Sequence, residues 1–406
     1  MAKGKNRFVG LDVGTTKVCA IICQMDRDGV DVVGIGLHPC QGMREGTVIN
    51  IEGTARSIKK AVEDAEIMAG HQVSSVYAGI SGGHIRSFNS HGAIGIKHKE
   101  ILAKDISKVM ETAKAVAISQ DREVLHILNQ EFIVDGQRAI REPLGMSGRR
   151  LEAKIHIVTA GTCAAQNVVR CVNKAGLEVK EIVLQSLAAS QAVLGVAEMD
   201  LGVGLIDIGG GTTDLAVFHR GSLVHTAVLP LGGNHITSDI AIGLRTSAEE
   251  AERIKKRFGC ALAGLSDMSN IIELVTLGER ATKTISQKLL AEIIEARAEE
   301  ILELAHQEIV GAGLEEKMTA GLVLTGGSAQ LDGMTELAEM VFGLRARVGI
   351  PGGVGGLVSE VLTPVYATGV GLVLYGYDQE AYAENEENGS WLKGLSRRLR
   401  YWLTDF

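Results

Sequence analysis

The chain has 406 residues, 46% hydrophobic and 22% charged, with a net charge of -8, which is enough sequence for two or more domains with cores of their own. The acidic balance argues against general nucleic-acid binding, which needs a basic stripe to neutralise phosphates. Neither the opening MAKGKNRFVG nor any later run reaches the apolar length of a signal peptide or of a spanning helix of roughly 18 to 20 residues, so a cytosolic protein is expected.

Residues 7 to 24 alternate apolar with small or polar groups around GTT, as a hairpin of strands does. Helical spacing then appears at Ile106, Val109, Met110, Ala113, Val116 and Ala117. The strand-like runs EVLHILNQEFIV and LEAKIHIVTA bracket the turn-rich REPLGMSGRR. Residues 84 to 161 are therefore expected to form a small α+β insertion. Residues 162 to 199 read as helix, strand (LEVKEIVLQ) and helix. VGLIDIGGGTTDLAVFHRGSLV, from Val203 to Val224, reads as a second hairpin. From about 232 to 310 the chain is expected to be mostly helical, with AEEAERIKKRF and a long helix from Glu279 to Ile309. A strand (GLVLTGG), a helix with Ser328 as its N-cap, and an apolar helix near PVYATGVGLVLYG follow. GYDQEAYAENEENGS, with five acids and no bases, is too polar to bury a core and is expected to be a flexible linker.

The six cysteines, Cys19, Cys23, Cys40, Cys163, Cys171 and Cys260, have neither CxxC nor zinc-type spacing and are expected to be reduced core residues. The 50 glycines against 5 prolines suggest many close backbone approaches, as in loops around a ligand.

The two hairpins share one design. LDVGTTKVCAII and LIDIGGGTTDLAVF align Asp12 with Asp207, 195 residues apart, a spacing typical of a duplicated domain. A Gly/Thr turn offers backbone N–H groups to a phosphate with few side chains in the way. A carboxylate ending the preceding strand can hold Mg²⁺ through water. Two such hairpins face to face could pinch a triphosphate; each alone could equally be a tight turn and nothing more. A third turn, LTGGSAQLDG, follows a strand and opens a helix, which suits a nucleotide seat but also an ordinary connection. No GxxxxGK[ST] occurs, which removes the P-loop reading.

LDVGTTKVCAII, QSLAASQAVLG, LIDIGGGTTDLAVF, LVLTGGSAQLDG and PVYATGVGLVLYG resemble, in order, the five motifs of the actin, Hsp70 and sugar-kinase superfamily. Over essentially its full length the chain resembles the FtsA family of bacterial cell-division proteins. The resemblance implies an α/β, actin-like fold: a duplicated ribonuclease-H-like pair of lobes around a nucleotide cleft. It implies subdomain 1A at 1–83, an inserted subdomain 1C at 84–161, the first part of 2A at 162–230 and 2B at 231–306. The rest of 2A with a return helix would occupy 307–376, the acidic linker 377–390 and an amphipathic helix 391–406.

The same resemblance implies ATP and Mg²⁺ as cofactors. Asp12 and Asp207 would lie around the metal. Gly14, Thr15 and Thr16 would meet the phosphates from one side, with Lys17 flanking them, and Gly209, Gly210, Gly211, Thr212 and Thr213 from the other. Gly326, Gly327 and Ser328 would approach the adenosine. Glu252 and Lys255 would reach its ribose or base; read without the family they are a solvated i,i+3 pair. Gln185 matches the residue that orients the attacking water, a positioning role that phosphoryl transfer needs.

At 391–406 a helical wheel gathers Trp391, Leu392, Leu395, Leu399, Trp402, Leu403 and Phe406 within an arc of about 120°. Lys393, Arg397, Arg398 and Arg400 fall outside that arc. Sixteen residues make a helix of roughly 24 Å, too short for a core of about 30 Å, yet able to lie in an anionic interface. Docking on the protein's own core or on a partner groove is the alternative. The family's partners are the FtsZ C-terminal tail on subdomain 2B, the anionic inner membrane surface, further copies in a filament and later division proteins. A place on the cytoplasmic face of the cell membrane at the division site follows. Rival readings on the same scaffold are a small-metabolite kinase, a chaperone-like ATPase or a pilus-type assembly scaffold.

Overall fold

The computed structural model describes residues 7–26, 29–276 and 282–387. Its first sheet holds the strands Gly29–Pro39, Lys17–Asp26, Arg7–Val13, Ser75–Ile80 and Glu178–Leu184 in that spatial order, with a two-residue strand at Gly355–Gly356 on the outer edge. The second holds Ser222–Leu229, Thr213–His219, Val203–Ile208, Leu322–Thr325 and Ala346–Val348. The two sheets match strand for strand in order 3-2-1-4-5: the first three are antiparallel and the last two run parallel to the first. Arg7–Val13 is buried from Phe8 onward and Val203–Ile208 throughout, because helices cover both faces of each sheet.

The lobes exchange helices. Gln185–Val193 follows the last strand of the first sheet yet packs on Val203–Ile208 and Thr213–His219 of the second. Ala367–Glu387 follows the second sheet and returns to pack on Arg7–Val13. Where the two helices cross, a Cβ at Gly371 would stand 1.8 Å from the Ala188 carbonyl oxygen, so glycine is what lets the backbones touch.

Between Ser75–Ile80 and Glu178–Leu184 the chain inserts a four-stranded sheet, ordered Arg86–Gly95, Arg150–Gly161, Arg122–Val134 and Gln137–Ile140, with the helix Ala103–Lys114 across it. Ile101, Val109, Phe132, Val134, Ile140, Leu151 and Ala153 form a core separate from the two lobe cores. The α+β insertion read from residues 84 to 161 is thus present as a unit with its own hydrophobic centre. Its helix stops at Lys114, short of Val116 and Ala117.

Four expectations change. Residues 162 to 184 do not open the second lobe: Glu178–Leu184 pairs in parallel with Ser75–Ile80 and completes the first sheet. The helix expected from Glu279 begins at Gln287 and runs to Gly311; before it, Ile271–Val275 and Thr282–Ser286 pair as a hairpin, in keeping with alternate burial along IIELV. The helix Ala367–Glu387 runs through most of the segment expected to be a linker, because its apolar first half is anchored in the core. Cys163 is exposed, whereas Cys19, Cys23, Cys171 and Cys260 are buried and Cys40 is half-buried. The amphipathic segment 391–406 lies outside the described residues.

Candidate functional site

Each strand carries an aspartate one residue before its end, and the turn that follows closes with one backbone bond. Gly14 N–H donates to the Lys17 carbonyl at 2.9 Å, and Gly209 N–H donates to the Thr212 carbonyl at 2.9 Å. Both bonds are related by the same 195-residue offset as Asp12 and Asp207. Asp12 pairs in register with Cys19, and Asp207 with Asp214. The turns face each other in contact. A Cβ at Gly210 would lie 2.4 Å from the Thr16 methyl, and one at Gly211 would lie 2.5 Å from the Thr15 hydroxyl.

The carboxylates are buried and wired differently. Asp12 accepts from the Gln185 amide at 2.9 Å and from the Lys17 ammonium at 3.1 Å. Lys17 also donates to the Val365 carbonyl at 2.5 Å; it is thus engaged by Asp12 and by the turn before the return helix. Burial opposes its charge, but Asp12 chiefly, with Cys19 and Asp207, holds its pKa above the ordinary lysine value. Asp207 accepts from the Thr368 hydroxyl at 3.1 Å. Burial and the like charge of Asp12 push Asp207 up to about 6.

Magnesium keeps most of its waters and takes one or two carboxylates together with substrate phosphates. Asp12 and Asp207 fit that demand: two buried carboxylates repel each other, and a cation relieves the repulsion. Among the described residues no group of three or more His, Cys, Asp or Glu side chains forms a closed metal shell.

Behind the second turn, the segment Gly232–Asn234 adds a layer that the motifs did not point to. Gly233 N–H donates to the Gly209 carbonyl and Asn234 N–H to that of Gly210. A Cβ on Gly233 would meet the Ser328 hydroxyl at 2.4 Å and the Lys255 ammonium at 3.5 Å. The third turn reaches the same place, since a Cβ at Gly326 would lie 2.4 Å from Asp207 Oδ1. Gly209, Gly233, Lys255, Gly326 and Ser328 are therefore neighbours. Lys255 is buried and donates to the Gly233 carbonyl (2.9 Å) and the Thr237 hydroxyl (2.8 Å), with Glu252 at 2.6 Å; burial lowers its pKa, and Glu252 opposes that. This is not a solvated surface pair. Ser328 caps no helix: it sits in a short 3-10 turn, and the helix Met334–Phe342 begins after Gly333.

Two further residues join the cleft. Asp214, opposite Asp207, has its carboxylate oxygens 2.6 and 2.7 Å from the donating Ser81 hydroxyl. Burial and Asp207 push Asp214 up to about 7. The acid closing GGGTTD was the available sign, since the first hairpin carries Cys19 at that position. Ser81 carried no sign at all.

The model of the family described as "Cell division protein FtsA" matches residues 204–371, and that of "SHS2 domain inserted in FTSA" matches 82–159. The cell division protein FtsA of Pseudomonas aeruginosa is 47% identical over 375 residues, covering 92% of this chain and 90% of that protein. The chain belongs to the FtsA family of cell-division proteins. FtsA of Neisseria meningitidis is 43% identical, covering 98% of each chain, and FtsA of Escherichia coli K12 is 38% identical over 98% of this chain and 99% of that protein. Among solved structures, a PilM–PilN type IV pilus biogenesis complex superposes with TM-score 0.65 at 15% identity, covering 91% of this chain and 98% of that one. MreB5 of Spiroplasma citri bound to ADP gives 0.57 at 16% identity, covering 94% and 99%. The fold is thus actin-like, with the inserted domain of the FtsA family at residues 82–159.

Proposed function

We propose that this FtsA-family chain binds Mg²⁺–ATP between its two hairpin turns and, so closed, assembles into filaments on the cytoplasmic face of the cell membrane. The observation that carries the nucleotide reading is the pair of Gly/Thr turns, related by one offset, each with a buried aspartate at its base and each facing the other. MreB5, bound to ADP in one structure and to AMPPNP in another, supports it on the same fold.

In this reading Gly14–Thr16 and Gly209–Thr213 give backbone and hydroxyl donors to the phosphates. Asp12 and Asp207 would hold Mg²⁺, whose charge would offset that of the nucleotide phosphates. Lys255 and Glu252 take the ribose or base, beside Gly326, Gly327 and Ser328. Gln185, its amide committed to Asp12, keeps its carbonyl oxygen for a water in line with the γ-phosphate. Lys17 steadies Asp12 rather than the phosphate.

The tail 391–406 would lie in the anionic interface, with Trp391 and Trp402 at headgroup depth. Among the described residues no helix is long and apolar enough to cross a membrane. One copy would bind reversibly, and many copies in a filament firmly, by effective concentration. Subdomain 2B, 231–306, would take the FtsZ C-terminal tail, so that the filament tethers the FtsZ ring and helps gather later division proteins. Sedimentation with anionic liposomes, comparing the full chain with one ending at Gly389, tests the anchor. Loss of binding in the shorter chain is expected; equal binding by both would falsify the anchor.

A further inference from the structure

The inserted subdomain is rooted in the first lobe, yet its contacts reach the cleft and the second lobe. Ser81, the residue before the insertion, crosses between lobes to Asp214. Gly82 packs against Gly46, where a Cβ would lie 2.7 Å from Gly82 Cα, and Gly46 N–H donates to the Thr15 hydroxyl at 3.0 Å. The root of the insertion therefore meets the second hairpin directly, through Ser81 and Asp214, and the first by way of Gly46.

Its strand Arg122–Val134 makes a separate contact with the cleft. His126 is buried in that strand, and its Nε2 accepts from the Leu184 N–H at 3.0 Å. Leu184 lies on the edge of the first sheet and immediately precedes Gln185. An edge N–H with no strand beyond it needs such an acceptor. The insertion supplies it at the start of the helix whose first side chain holds Asp12.

The body of the insertion grips the second lobe's edge strand through side chains. The Ser87 hydroxyl donates to the Thr226 carbonyl at 2.7 Å, and the Asn89 amide to the Val224 carbonyl at 3.2 Å. His156 bridges Asn89 and the Thr226 hydroxyl, and the Ser222 hydroxyl donates to the Gln130 carbonyl. A body held to both lobes cannot keep all these bonds if the lobes shift.

We infer that the inserted subdomain is a coupling element, with His126 and Ser81 as the positioning residues that tie its placement to nucleotide in the cleft. A ligand can shift such an element only by binding its two arrangements unequally. By linkage, whatever docks on the insertion then alters nucleotide affinity by the same factor. This inference rests on the nucleotide reading above.

Hydrogen exchange of the full chain, with and without saturating Mg²⁺–AMPPNP, reads the coupling at residues 86–95 and 122–134. Nucleotide is expected to slow exchange there by about threefold or more. In Ser81→Ala/His126→Leu, which keeps the packing and removes the donor and the acceptor, the slowing should fall below about half that. His126→Gln, whose amide oxygen can accept, should restore most of it. Bound nucleotide with no change of exchange in the insertion overturns the coupling alone, and so does full slowing in the double variant. A parallel titration in which the unaltered chain binds no AMPPNP overturns the nucleotide reading and this inference together.

Discussion

Gly211 faces Thr15 so closely that a Cβ on the glycine would stand 2.5 Å from the threonine hydroxyl. The two lobes thus meet through a turn without side chains. Gly211→Val should hold the turns apart and weaken Mg²⁺–ATP binding by tenfold or more, about 1.4 kcal/mol. Anisotropy of a fluorescent ATP analogue checks this; unchanged affinity would mean that the turns do not grip the phosphates.

Lys17 and Asp12 form a pair largely shielded from water, with side-chain exposures of 25% and 8%. Removing one partner leaves the other charge buried. Asp12→Ala should destabilise the nucleotide-free protein by about 3 kcal/mol, and Lys17→Met in the same chain should recover more than half of it. Urea unfolding of the four chains of that cycle gives the coupling. Additive losses would show that the pair is idle.

Asp207 and Asp214 have folded pKa values pushed up to about 6 and about 7. The folded state therefore keeps protons that the unfolded chain has released, and stability falls wherever it binds the more. The contribution of these groups is complete below about pH 4 and is lost as pH rises through 6 and 7. Asp214→Asn, which still accepts from Ser81, should gain on the unaltered protein in melting temperature as pH goes from 5 to 8. A difference that stays flat over that range contradicts the assignment.

The insertion has its own small core, in which Leu151 is fully buried. Leu151→Ala should cost about 3 kcal/mol. Because that core is separate from those of the lobes, the damage should stay local. Limited proteolysis should cut within 84–161 while the lobes persist; cleavage spread over the whole chain would deny the insertion its independence.

The repeat was legible because it is written in residues that must be present: an aspartate one residue before the end of a buried strand, then glycines and threonines at the turn. The insertion was legible from alternation in EVLHILNQEFIV and LEAKIHIVTA, which are indeed paired strands. What escaped was set by tertiary pairing. Glu178–Leu184 looks the same whichever sheet it joins, and only its ladder to Ser75–Ile80 decides. Lys255 resembles any helical lysine until the Gly232–Asn234 segment covers it. Ser81 acts through Asp214 and His126 through the Leu184 N–H, and a single polar residue carries no period to read.

Every proposed role of this chain requires that the facing turns hold Mg²⁺ and ATP together. Calorimetric titration of the full chain with ATP, with and without Mg²⁺, tests it most directly. One nucleotide per chain is expected, bound about tenfold or more tighter when Mg²⁺ is present. No saturable binding, or the same affinity without the metal, would contradict it.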